Sequence, residues 1–302
     1  MAMNVPGGGP GIQRGWIILR TETVLQSRAA QRHDQRFLRA TDRDDPASSI
    51  QHRESSDCAT IPAMTSSITT ITFDAGNTLL YCDPSPAEIY AVALGHHGRA
   101  VTPQEVEPVF AGAWAELQEQ TPPGIDRYGS RPGGEKQWWG AFLREVLLRL
   151  DHEAEWEPLL DELYAAFSEP DVWKVFPDTR PTLDTARDRG LRLAVISNWD
   201  RRLPGILDGL DLTGYFETVA VSAIEGVEKP APEIFRRTLE SLGVRPEESL
   251  HIGDSPLEDY EGSQAVGMIP VLIDRPGAFA GNGYRRIGSL GEIFDLVGRE
   301  VG

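Results

Sequence analysis

The chain has 302 residues, 40% of them hydrophobic, which is enough for one large packed domain or two modest ones. Its formal charge of −17, from 46 Asp and Glu against 29 Lys and Arg, argues against sequence-independent nucleic-acid binding, which needs a basic surface. No apolar run approaches the roughly 20 residues that span a bilayer, and "GWIIL" is too short for the centre of a secretory signal, so no membrane or export role is expected.

In chain order, residues 1–63 are Gly-rich and then polar, with eight Arg and seven Asp or Glu and little apolar periodicity, so a disordered extension is expected there. Met64 precedes the first good strand, and translation starting at that residue is the alternative. Cys58 and Cys82 have neither metal-ligand spacing nor a disulfide framework, as befits inert thiols in a reducing cytoplasm.

From Ile68 the pattern changes. "ITTITFD" predicts a β-branched strand, and "LRLAVISN" (191–198), "TVAVS" (218–222), "SLHIGD" (249–254) and "MIPVLID" (268–274) predict four more. Their near-continuous apolar character is that of strands covered on both faces. Helical patterns alternate with them: "PDTRPTLDTARDRG" stops at Gly190, "PEIFRRTLESLG" starts with Pro232 and stops at Gly243, and "PLEDYEGSQAVG" follows the fourth strand. Alternation of this kind predicts an open α/β domain with a parallel sheet, built from residues 64–82 and 175–302. The interval 83–174 shows four helical patterns and no convincing strand, which predicts a helical cap over the strand ends, with Trp138, Trp139 and Phe142 in its core.

Ligands of open parallel sheets bind beyond the carboxyl ends of the strands. Asp74 stands there after the first strand, Ser197 and Asn198 after the second and Asp254 after the fourth; Lys229 precedes a helix and Asp259 lies five residues past Asp254. Three carboxylates, one ammonium and two small hydrogen-bonding side chains suit magnesium and a phosphate. Magnesium takes one or two carboxylates together with phosphate oxygens, here Asp74 and Asp254. Lys229 with the metal would offset the repulsion between phosphate and carboxylates. Ser197, Asn198 and the backbone N–H groups of the "AGN" turn, including Gly76 and Asn77, are candidates to hold phosphate oxygens, and Asp74 is the candidate nucleophile.

The four segments "TFDAGNTLL", "VISNWD", "EKPAPEIF" and "HIGDSPLEDYEG", in that order, resemble the motifs of the haloacid dehalogenase-like hydrolase superfamily, in particular its phosphatase-like members with a helical cap after the first motif. The resemblance covers about residues 66–302. It implies a Rossmann-like core with an inserted all-α cap, a Mg2+ cofactor and a small phosphorylated substrate. It further implies Asp74 as nucleophile and metal ligand, the Gly76 carbonyl and Asp254 as metal ligands, and Ser197 as phosphate-binding hydroxyl with Asn198 beside it. Lys229 is implied as the charge-neutralising lysine, with Asp259 and Thr78 in support. The chain departs from the phosphatase pattern at Gly76, where family phosphatases carry an Asp that acts as general acid and base. Asp83, Asp200 or a cap residue is then the candidate replacement, or the leaving group needs little protonation. Dehalogenase chemistry, phosphonate cleavage through Lys136 or Lys174, and a non-catalytic binding protein are the alternatives.

Overall fold

The computed structural model describes residues 68–121, 124–129, 133–152 and 155–297. The expectations for residues 1–63, for Met64 and for Cys58 lie outside the described residues. Among those described, no helix is long and apolar enough to cross a membrane.

All five expected strands form, as β1 Thr70–Phe73, β4 Arg192–Ser197, β5 Thr218–Val221, β6 Ser249–Gly253 and β7 Ile269–Ile273. A sixth, β8 Arg286–Ile287, extends the edge, and every neighbouring pair runs parallel in the order β5-β4-β1-β6-β7-β8. β1 and β6 are buried along their whole length, as the apolar runs require. After β1 the chain builds outward through β4 and β5, then returns to the other side of β1 with β6. The strand order therefore reverses beside β1, where open sheets form a ligand crevice.

Register sets what meets at that crevice. Phe73 lies level with Val195 of β4 and Ile252 of β6. Asp74 is thus one residue past the shared line, while Ser197 and Asp254 are each two past it. The helix Pro232–Leu242 covers one face, ending at Gly243 with φ of 64°, and packs Ile234, Phe235 and Leu239 with Ile196, Ala220 and Met268.

Two short strands were not foreseen. β2 Leu80–Cys82 and β3 Trp173–Val175 pair antiparallel, Leu80 with Val175 and Cys82 with Trp173. Each has only three residues, too few for a period-two pattern to stand out, and the partners lie some 90 residues apart in sequence. Among the described residues four α-helices run between them: α1 Pro86–His96, α2 Pro103–Glu119, α3 Gly134–Arg149 and α4 Trp156–Ala166. Ser85 with Glu88 and Thr102 with Glu105 form capping boxes at the starts of α1 and α2, each followed by Pro at the first helical position. Trp138 and Phe142 are buried among Tyr90, Phe110 and Trp114, edge to face or stacked. Trp139 behaves differently: it is half-buried, and its indole N–H donates to Asp200 at 2.7 Å, joining the insertion to the loop after β4.

Phe142 is wholly buried in this cluster, so Phe142→Ala should cost about 3–5 kcal/mol, read as a lowered midpoint of urea unfolding.

Candidate active site

The crevice beside β1 gathers the residues singled out from the sequence. Asp74 Oδ1 accepts from Lys229 Nζ at 2.7 Å and from the Ser197 hydroxyl at 2.9 Å. Both bonds converge on Oδ1, so Oδ2 carries neither of them. Lys229, 1% exposed, also donates to Asp259 Oδ1 at 2.5 Å. Asp259 Oδ2 accepts the Ser255 N–H at 2.9 Å. Oxygens of Asp74, Asp254 and Asp259 all lie within 4.8 Å of one another, an arrangement that can hold a metal ion.

This donor set fits a hard divalent cation. It consists of carboxylate oxygens alone, with neither sulfur nor imidazole in the group, and three carboxylates against one ammonium leave an excess of negative charge. Asp259 is the least suited of the three as a ligand, because the lysine and a backbone N–H already occupy its two oxygens.

Burial pushes the Asp74 carboxyl above its ordinary range, with Lys229 pulling the other way. Burial acts on Asp259 in the same direction, but Lys229 and His251 outweigh it and hold that carboxyl below the usual range. For Lys229, desolvation disfavours the ammonium, yet Asp259 and Asp74 together raise its pKa. The lysine is therefore a fixed positive charge at any pH near neutrality.

His251, fully buried, was quoted in the fourth motif but given no role. Its Nε2 lies 3.1 Å from Asp259 Oδ1 and its Nδ1 2.8 Å from the Thr72 hydroxyl. Since the ionised Asp259 only accepts, Nε2 carries the proton and Nδ1 accepts from Thr72. A polar line thus runs from Thr72 through His251, Asp259 and Lys229 to Asp74. The sequence signal was present: one polar residue in the middle of an apolar strand needs partners.

Other expected residues take different places. Both ends of the Asn198 amide are engaged by the peptide of Lys229: Oδ1 accepts its N–H at 2.7 Å and Nδ2 donates to its carbonyl at 2.9 Å. Asn198 pins the lysine loop. Asn77 adopts φ of 56°, spends its N–H on the Leu80 carbonyl at 2.7 Å and turns its side-chain amide toward Asp254 at 3.3 Å. That backbone donor is therefore taken. The Thr78 hydroxyl is buried and has no hydrogen-bond partner among the described residues. Asp200 is buried and gripped by the Arg202 guanidinium, Nε to Oδ1 at 2.9 Å and Nη2 to Oδ2 at 2.5 Å. Asp83 is exposed just beyond β2.

Two glycines have close neighbours, and one of them is fixed by it. A Cβ at Gly253 would fall 2.1 Å from Asp259 Cγ, so only glycine lets that carboxylate fold back against the strand end. A Cβ at Gly76 would stand 3.2 Å from Trp199 Cζ3. Trp199, part of the second motif and without an expected role, packs edge to face on Trp173 at 4.9 Å and lies against the position where a second carboxylate would begin.

A doubly wound sheet that gathers carboxylates, a buried lysine and a hydroxyl at its switch point places these groups where open α/β enzymes bind their ligands. Residues 68–267 match the family model for haloacid dehalogenase-like hydrolases, and the chain belongs to that family. It is 38% identical over 215 residues to the human haloacid dehalogenase-like hydrolase domain-containing protein 3, covering 69% of this chain and 82% of that protein. It is 33% identical over 176 residues to the phosphoserine phosphatase of Thermus thermophilus, covering 55% of this chain and 70% of that one. Among solved structures it is similar to a haloacid dehalogenase-type phosphatase from Thermococcus onnurineus, with 26% identity, a TM-score of 0.54 and coverage of 76% and 98%.

Burial lowers the His251 pKa below its ordinary value against the pull of Asp259. Below the unfolded value of about 6.5 the unfolded chain takes up a proton that the folded state refuses, so stability is present above that pH and is lost as pH falls. His251→Gln, which keeps a donor toward Asp259, should show a flatter decline between pH 7.5 and 5.5 in urea unfolding, by up to about 1.4 kcal/mol per pH unit.

Proposed function

We propose that this hydrolase cleaves small phosphate esters or acyl phosphates through Asp74, with magnesium. The observation that carries the reading is the contact at one oxygen of Asp74 between Lys229 and Ser197, with Asp254 near enough to share a cation. The name of the Thermus relative supports a phosphorylated substrate.

Lys229 and Ser197 hold Oδ1, orienting the carboxylate so that Oδ2 can attack phosphorus. The bond from phosphorus to the leaving oxygen breaks with its electron pair on that oxygen. Water then hydrolyses the aspartyl-phosphate, regenerating the carboxylate and releasing inorganic phosphate. Asp74 and Asp254, with the Gly76 carbonyl, would hold the magnesium ion, which when bound offsets charge on the phosphate oxygens. Lys229 supplies the remaining positive charge from the protein itself.

Proton supply limits the substrate. Gly76 has no side chain, and both oxygens of Asp200 are taken by the guanidinium of Arg202. Removing a positioned acid typically costs about 10²–10⁴ in rate, a loss that vanishes when the leaving group is already a weak base. Aryl and acyl phosphates are therefore the favoured class. A carbon–halogen bond also leaves without protonation, so haloacid hydrolysis is the competing reading; Asp254 beside Asp74 weighs against it. Such metabolite hydrolysis, with Cys82 a free thiol, fits a cytoplasmic setting.

Hydrolysis of 4-nitrophenyl phosphate should require magnesium, stop on addition of EDTA, and fall by about 10³-fold or more in Asp74→Asn. Chloride release from 2-chloropropionate without magnesium, and no phosphate release with it, would replace this reading with the dehalogenase.

A further inference from the structure

The helical insertion touches the core where it matters for Lys229. In the segment 124–129, Arg127 is almost wholly buried. Its Nε and Nη2 grip Glu228 at 2.7 and 3.2 Å, its backbone N–H adds a third bond to Glu228 at 3.0 Å, and Nη2 reaches Glu258 at 3.1 Å. Glu228 immediately precedes Lys229, and Glu258 immediately precedes Asp259. One guanidinium from the insertion therefore binds both the lysine loop and the short helix Pro256–Glu261, each one residue from an end of the 2.5 Å contact between Lys229 and Asp259.

We propose that Arg127 is a positioning residue, through which the seating of the insertion and the placement of Lys229 against Asp74 become a single event. The proposal rests on the role given to Lys229 above. Adjacent Cα atoms are about 3.8 Å apart, so fixing the side chain of Glu228 restricts where the Lys229 backbone can lie. Asn198 holds the same peptide from the core side. The lysine loop is thus gripped from both sides, by the core through Asn198 and by the insertion through Arg127.

Charge makes the coupling strong. With Arg127 in place, two partly buried carboxylates share one cation, the bidentate fork being the tightest geometry for such a pair. Withdrawn, it would leave Glu228 and Glu258 facing each other in a setting of low dielectric, repelling. That repulsion would part the loops that Lys229 and Asp259 draw together. Further ties of the insertion, from Trp139 to Asp200, from the Arg201 N–H to Glu135 and from Arg202 to the Tyr164 carbonyl, reach the segment after β4 and bear on neither of these two.

The test uses the full chain with Arg127→Met, which keeps bulk and removes charge, together with Glu228→Gln and Glu258→Gln. Hydrogen exchange is read at the amides of Lys229, Ala231, Ser255 and Asp259, and kcat and KM are measured on 4-nitrophenyl phosphate with magnesium. Arg127→Met should raise exchange about tenfold or more at all four amides. It should also lower kcat by about tenfold or more with KM changed less than about threefold, because the lysine is misplaced while the crevice remains. Glu228→Gln should loosen Lys229 and Ala231 alone, and Glu258→Gln Ser255 and Asp259 alone. Arg127→Lys, with charge but no fork, should fall between wild type and Arg127→Met. Exchange unchanged in both loops, or a rise in KM with kcat intact, overturns the proposal. Should the wild type hydrolyse no phosphate ester, the functional reading fails and exchange alone decides the coupling. Should Arg127→Met not fold, the two glutamine variants decide it by whether each loosens its own loop.

Discussion

A buried ammonium between two buried carboxylates is the interaction on which the site depends. Taking Lys229, Asp74 and Asp259 out of water carries a desolvation cost of several kcal/mol per ion, and their attraction offsets it only with short contacts and full hydrogen bonding. The contacts are short, 2.7 and 2.5 Å from the lysine, and Ser197, His251 and a backbone N–H add hydrogen bonds to the two carboxylates. The contacts tie together the loop after β1, the loop before the helix Pro232–Leu242 and the short helix Pro256–Glu261 after β6. Local choices that look unrelated follow from this, among them glycine at 253, a histidine in an apolar strand, and an asparagine spent on a peptide.

Much of this was legible in the chain. The five principal strands showed themselves because both faces are covered, which leaves almost continuous apolar runs. Asp74, Ser197, Asp254 and Lys229 could be placed at one rim because a parallel sheet gathers its strand ends on one side. The start and stop of the helix Pro232–Leu242 followed from residues whose effect is local, Pro232 and Gly243 with its positive φ.

What stayed hidden depends on contacts between distant residues of ordinary type. An amide after a strand reads as a ligand donor, and nothing nearby in sequence says that Asn198 will close on the peptide of Lys229, 31 residues on. Arg127 looks like any arginine in a loop until Glu228 and Glu258 are seen to surround it. Trp199 beside Gly76 is of the same kind: the missing carboxylate could be read from the chain, while the indole next to it could not.

The ribbon of β2 and β3 bears on how this architecture tolerates change. Because the outgoing and returning strands are hydrogen-bonded side by side, the sheet meets the same paired stub whatever the intervening 90 or so residues do. Helices can lengthen, shorten or be exchanged there without shifting the register of β1 against β4 and β6. What has to persist through such exchange is the segment around Arg127, whose guanidinium reaches from the insertion to Glu228 and Glu258.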